Sequence, residues 1–214
     1  SRQKHLFTHI RVFHEFFSFP GPDILLVLGD RFEMHAAVVA AIPFKLPVAH
    51  IAGGESTEGA IDEAMRHSIT KMSHLHFVTT DVYADRVIQM GEEPWRGVVS
   101  GAPGLDNIDA FPVMSWEDLK ARFGFDLNRP VLLVTFHPVT LAYENTAYYI
   151  TELLAALEEV NFDIVFTYPN ADTQGHVIID MIGEFAARHP ESWVATNLGT
   201  EAYLSLLSHA AAMV

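Results

Sequence analysis

The sequence predicts an α/β protein of two Rossmann-like units, each a parallel sheet covered by helices, and three observations carry that prediction. Short apolar runs rich in Val, Ile and Leu recur along the chain. Stretches of helical period lie between them. The alternation breaks once, at "GAPGLDNIDAFPVMSW" (101–116), which carries two glycines and two prolines and neither period.

Taken in order, "HIRVFHEFFSF" (9–19) reads as a helix, so the chain opens inside one. Strands follow at 23–29 (DILLVLG), 46–51 (LPVAHI) and 75–80 (LHFVTT), then at 131–136 (VLLVTF), 162–168 (FDIVFTY) and 192–197 (SWVATN). Their near absence of polar alternation is what a parallel sheet covered on both faces requires. Helices are predicted at 33–42, 59–72, 81–90, 144–160, 176–189 and 200–210. The division is an amino-terminal unit over 1–108, a linker over 109–116 and a carboxy-terminal unit over 117–214. The chain closes on "HAAAMV" without a turn or polar terminator, so both units are expected to be truncated.

Composition narrows the function. Thirteen Lys and Arg against 27 Asp and Glu give a formal charge of −14, which repels nucleic acid and anionic membrane surfaces. There is no cysteine, which excludes disulfides, thiolate metal sites and a thiol nucleophile. No apolar run approaches the roughly 20 residues a membrane span needs, and the first ten residues lack a signal-peptide core; a cytoplasmic protein is expected.

Four stretches could do chemistry. In "LGDRFE", Gly29-Asp30 stops a strand and puts Asp30 and Arg31 beyond its carboxyl end, where ligands sit in open α/β sheets, although Asp30 could equally cap the next helix. "HIAGGESTEGAIDEAMRHSIT" (50–70) places His50 at a strand end, Gly53-Gly54 at the turn and Glu55 directly after it. On the following helix Asp62 and Arg66 share a face, as do Glu63 and His67. Capping by Ser56 or Thr57 and solvated ion pairs explain Glu58 and Glu63 well but Glu55 poorly. In "TFHPVT", His137 ends a strand that Pro138 interrupts, a position suited to a ligand phosphate or proton transfer and also to a packed loop. "TYPNADTQG" (167–175) offers Asn170 and Asp172 at a helix entrance, as a phosphate loop or as ordinary turn residues. His74 and His76 lack the spacing of a metal site, and no GxGxxG, P-loop or GxSxG is present.

"GDRFE", "GGESTEGAIDEAMRHSITKMSHLHF", "RVIQMGE", "GAPGLDNI", "FHPVT" and "YPNADT" stand in one order. With them the chain resembles the UDP-N-acetylglucosamine 2-epimerase family, and within it the hydrolysing branch that makes N-acetylmannosamine for sialic and related nonulosonic acids. The resemblance implies a GT-B-like fold with a nucleotide sugar in the cleft between two domains, elimination to a glycal followed by hydration, no metal and no cofactor. It implies catalytic roles for Asp30, Glu55, Asp62 and His137, and substrate binding by Arg31, His50, Arg66, Asn170 and Asp172. A homo-oligomer is expected. Several members carry a glutamate where this chain has Ala52, so either Glu55 substitutes for it, or this subgroup uses a different base or a modified sugar such as a diacetamido-trideoxyhexose nucleotide. The family's first strand with its phosphate loop would precede residue 1, and a Gly-Asn-Ser-Ser loop would follow Val214. A GT-B glycosyltransferase and a non-catalytic partial chain are the competing readings.

Overall fold

The computed structural model describes residues 2–18, 21–169 and 175–214. The chain divides into two compact units, Ser1–Asp106 and Asn107–Val214.

In the first unit α1 (Arg2–Phe17) precedes a regular alternation of β1 (Leu25–Leu28), α2 (Phe32–Ala41), β2 (Val48–Ile51), α3 (Asp62–Met72), β3 (Leu75–Val78), α4 (Asp81–Gln89) and β4 (Gly97–Val99). The four strands are parallel and ordered β1-β2-β3-β4, with Val27 opposite His50 and His50 opposite His76. Alternation along β1 and β2 sends Val27 and Val48 into a core with Val38, Ala40 and Ala41 of α2, Ile69 of α3 and Phe17 of α1. Both faces of β1 were expected to be covered. Instead Leu26 and Leu28 are 59% and 55% exposed, so β1 is packed on one face only and also forms the sheet edge.

The second unit begins with α5 (Asp106–Ala110) and α6 (Trp116–Phe123), then β5 (Val131–Thr135), α7 (Thr146–Glu158), β6 (Asp163–Thr167), α8 (Gly175–Arg188), β7 (Ser192–Ala195), α9 (Gly199–His209) and β8 (Ala212–Met213). All its strand pairs are parallel, in the order β7-β6-β5-β8. In local numbering this is 3-2-1-4, the Rossmann order, with the switch in direction between β5 and β8. Side-chain period 2 divides β5 between two cores. Val131 and Leu133 join Leu119 of α6 and Leu206 of α9. Leu132 and Val134 join Ile150 of α7 and Phe185 of α8 on the other face.

Residues 109–116, read as the linker, are fastened to α9, the Met114 amide donating to Ser205 Oγ at 2.9 Å and its carbonyl accepting from His209 Nε2 at 2.9 Å. Two readings differ from expectation. Helix α3 begins at Asp62 and not at residue 59, because Gly59 takes φ +75°, which a right-handed helix cannot include. Ser56 and Thr57 do not cap it. Both bind Glu63 instead, Ser56 Oγ donating to Oε1 at 2.9 Å and the Thr57 amide to Oε2. No helix among the described residues is long and apolar enough to cross a membrane.

Candidate active site at the carboxyl ends of the strands

The charged residues of the first unit gather where β1 and β2 end. Gly29 turns the chain out of β1 with φ +75°, its amide donating to the Ile51 carbonyl at 2.9 Å, so Asp30 emerges directly beyond the strand. Arg31, at the N-cap position of α2, lies 3.6 Å from Glu33 and is half-exposed. Asp30 does not cap that helix. Its carboxylate accepts from Nη2 of Arg66, one turn into α3.

Arg66 is only 7% exposed. Its Nη1 stands 3.9 Å from Glu55 Oε2, close enough for ionic attraction and too far for a hydrogen bond. Nε and Nη1 have no hydrogen-bond partner among the described residues. A guanidinium therefore sits between two carboxylates with two buried donors unsatisfied, an arrangement costly to fold unless an acceptor arrives. Asp62, expected to face Arg66 from one helical turn away, starts the same helix and is partly exposed.

Glu55 is placed by the corner that precedes it. Ala52 takes φ +61°, and its amide still donates to Phe77 in the next strand at 2.9 Å. A Cβ on Gly53 would lie 2.8 Å from His50 Nδ1, and one on Gly54 2.6 Å from the Tyr83 carbonyl, so both positions need glycine for close approach. Arg86, from the same helix α4 as Tyr83, donates to the Gly54 carbonyl. Thr79, immediately after β3, donates to Glu55 Oε1 at 2.9 Å. Sequence reasoning missed Thr79 and Arg86; the rule that strand ends face ligands would have drawn attention to Thr79.

His50 is a correction. Read as a substrate contact, it is wholly buried, and both ring nitrogens are engaged within the fold: Nε2 lies 2.8 Å from the Gly29 carbonyl and Nδ1 3.2 Å from Thr70 Oγ1. Burial lowers its pKa to about 4, so the ring is neutral above that pH. His50 therefore lies behind the site rather than in it. Glu63 holds its charge below the ordinary carboxylate range because the Thr57 amide donates to it, with Ser56 and His67 adding to the effect. It pairs with His67 at 3.3 Å, as the sequence spacing predicts. His74 Nδ1 accepts from the Val48 amide at 3.2 Å, and buried His76 lies 3.5 Å from Glu92. No group of three or more His, Cys, Asp or Glu among the described residues is arranged to hold a metal.

In the second unit His137 is exposed two residues beyond β5, followed by buried Pro138, at the strand where the sheet order reverses. Asn170 and Asp172 lie outside the described residues.

The family described as UDP-N-acetylglucosamine 2-epimerase matches residues 1–214. A "UDP-N,N'-diacetylbacillosamine 2-epimerase (hydrolyzing)" of Legionella pneumophila is 36% identical over 202 residues, covering 94% of this chain and 53% of that protein. A "UDP-N-acetylglucosamine 2-epimerase" of Neisseria meningitidis is 34% identical over 195 residues, covering 90% of this chain and 50% of that protein. The chain thus spans about half the length of the curated relatives it matches. Among solved structures, the Neisseria meningitidis UDP-GlcNAc 2-epimerase bound to UDP-GlcNAc superposes with a TM-score of 0.80 at 19% identity, over 100% of this chain and 59% of that one. At that identity the likeness establishes the fold, a GT-B-like pair of Rossmann-like units.

Proposed function

Because the chain belongs to the UDP-N-acetylglucosamine 2-epimerase family, we propose that it carries the hydrolytic 2-epimerisation of UDP-N-acetylglucosamine to UDP and N-acetylmannosamine. The observation that carries this reading is Arg66, a buried cation with two unsatisfied donors set beside the carboxylates of Asp30 and Glu55.

The chemistry needs those groups. A base takes the proton from C2, the C–H electron pair becomes the C1=C2 bond of a glycal, and the C1–O bond breaks with its electron pair leaving on the diphosphate of UDP. Water then adds across the glycal, hydroxyl to C1 and proton to C2 on the opposite face. The C2 proton is weakly acidic, so a carboxylate must stand within hydrogen-bond reach of it. The departing diphosphate gathers negative charge, which a buried guanidinium stabilises more strongly than a solvated one. In this reading Asp30, Asp62 and Glu55 transfer protons, Arg66 and His137 take the diphosphate, and Arg31, Asn170 and Asp172 bind the nucleotide. Thr79 fixes one oxygen of Glu55 and leaves the other toward the site.

A second reading keeps the chemistry and changes the sugar to a 2,4-diacetamido-trideoxyhexose. It is favoured by the name of the Legionella relative and by Ala52, which removes a carboxylate found in several family members.

The deciding experiment follows UDP-N-acetylglucosamine in heavy water by proton and phosphorus NMR. N-acetylmannosamine deuterated at C2, together with free UDP, is the expected result. Turnover of the diacetamido nucleotide alone would select the second reading. Consumption of nucleotide sugar only when an acceptor is added would replace both with a glycosyltransferase, and no turnover of any of these would overturn epimerisation by this chain.

A further inference from the structure

We infer that His50 is a positioning residue that sets Asp30, Arg66 and the Gly53–Glu55 corner relative to one another through the backbone, without touching substrate. For its effect on turnover the inference rests on the epimerase reading; its geometry does not.

His50 is the third residue of β2 and has no solvent-accessible surface. The Gly29 carbonyl, 2.8 Å from Nε2, can only accept, so Nε2 carries the ring proton and Nδ1 keeps its lone pair. Thr70 Oγ1 lies 3.2 Å from that lone pair and 3.0 Å from the Arg66 carbonyl, offering its single proton to either. With that one proton shared between its two acceptors as a three-centre bond, these contacts close a circuit. Asp30 binds the Arg66 guanidinium; the Arg66 carbonyl meets the Thr70 hydroxyl; Thr70 meets the His50 ring; the ring holds the Gly29 carbonyl; and Gly29 is bonded to Asp30.

Two routes therefore join the end of β1 to α3. The ionic route, Asp30 to Arg66, is the one the chemistry uses and the one a bound diphosphate would compete for. The neutral route through His50 and Thr70 is sealed from water and unaffected by that competition. It keeps the two residues in place while their charges are redistributed, which is what preorganisation requires. The same ring edge is the floor on which Gly53 rests, since a Cβ there would come within 2.8 Å of Nδ1 and 3.1 Å of Thr70 Oγ1. One side chain thus touches the support of Asp30, of Arg66 and of the Glu55 corner. An apolar residue of similar volume would fill the space at lower desolvation cost but bind none of the three.

The test compares the full chain with H50A, H50Q, T70V and T70S. The Gln side-chain amide can donate to the Gly29 carbonyl in place of Nε2, and Ser at 70 keeps the hydroxyl. Nitrogen-15 NMR of the His50 ring and the Arg66 guanidinium is read together with kcat and KM for UDP-N-acetylglucosamine. The expected ring is the Nε2–H tautomer. H50A is expected to lower kcat by up to about 100-fold, the scale of a misplacement near 1 Å, with KM within about threefold, as for interactions that matter only in the transition state. The Arg66 resonance should move in H50A and T70V and return in H50Q and T70S. If H50A fails to fold, the Thr70 pair gives the same comparison. An Nδ1–H tautomer, or an Arg66 resonance that ignores all four substitutions, would overturn the positioning role. Absence of turnover in the unsubstituted chain would overturn the epimerase reading, while the NMR comparison would still decide the role of His50.

Discussion

Burial of His50 as a neutral ring makes the stability of the first unit depend on pH in a defined window. The folded ring has its pKa lowered to about 4, chiefly by burial, with nearby His76 and Arg66 acting in the same direction. In the unfolded chain the ordinary value of roughly 6.5 applies. Between the two, the unfolded state binds a proton that the folded state refuses, so stability rises as pH rises through this window and is flat above it. A difference of about 2.5 units at 1.36 kcal/mol each gives about 3 kcal/mol between pH 8 and pH 4. The assay is urea denaturation at several pH values across that range, followed on backbone amide resonances of β2 so that only the first unit is read, for the parent chain and H50Q. Gln does not titrate, and His35 and His76, whose pKa values are also lowered by burial, are common to both chains and largely cancel in the difference. The gap in stability should shift by about 3 kcal/mol toward H50Q as the pH falls. A gap that changes by less than about 1 kcal/mol would refute the claim that the ring is held neutral.

Three further outcomes are expected. Thr79→Val removes the hydroxyl that donates to Glu55 Oε1; a hydrogen bond to a charged group is worth about 1.5–3 kcal/mol, so kcat/KM should fall roughly 10- to 150-fold, measured by UDP release. Asp30→Asn should abolish most turnover while retaining UDP affinity by calorimetry, because Arg66 and its two unsatisfied donors remain; near-normal turnover would remove Asp30 from the chemistry. Gly54→Ala should destabilise the first unit by about 2 kcal/mol or more, since its Cβ would stand 2.6 Å from a backbone carbonyl at φ +75°; an unchanged thermal midpoint would show that α4 yields freely.

Much of the fold was legible because the short apolar runs rich in Val, Ile and Leu became strands: all six predicted runs contain one. The strands missed were β4 and β8, three and two residues long, too short for any period to register. Helix α6 was missed although its signals are present. Ser115 Oγ accepts from the Asp118 amide at 3.1 Å, and Gly124 closes the helix with φ 72°.

The ion pairs around Arg66 were not legible in the sequence. Helical spacing offers Arg66 the neighbouring Asp62, whereas its ion pairs with Asp30 and Glu55 join helix α3 to two strand-to-helix connections and depend on the sheet register. His50 shows the opposite limit. A histidine at a strand end looks the same in sequence whether its ring faces a ligand or the underside of a loop, and only the three-dimensional position of Thr70 and Gly29 distinguishes the two.

Ala52 holds a left-handed backbone at φ +61°, at a cost of about 1 kcal/mol that glycine avoids and that Asn and Asp bear more easily than other side chains. The bend itself is written in the main chain, in the bond to Phe77 and in the two glycines that follow. Position 52 is thus an interchangeable fitting on a fixed bracket. Lengthening its methyl into an acid would set a second carboxylate three residues before Glu55 while the turn itself kept its course.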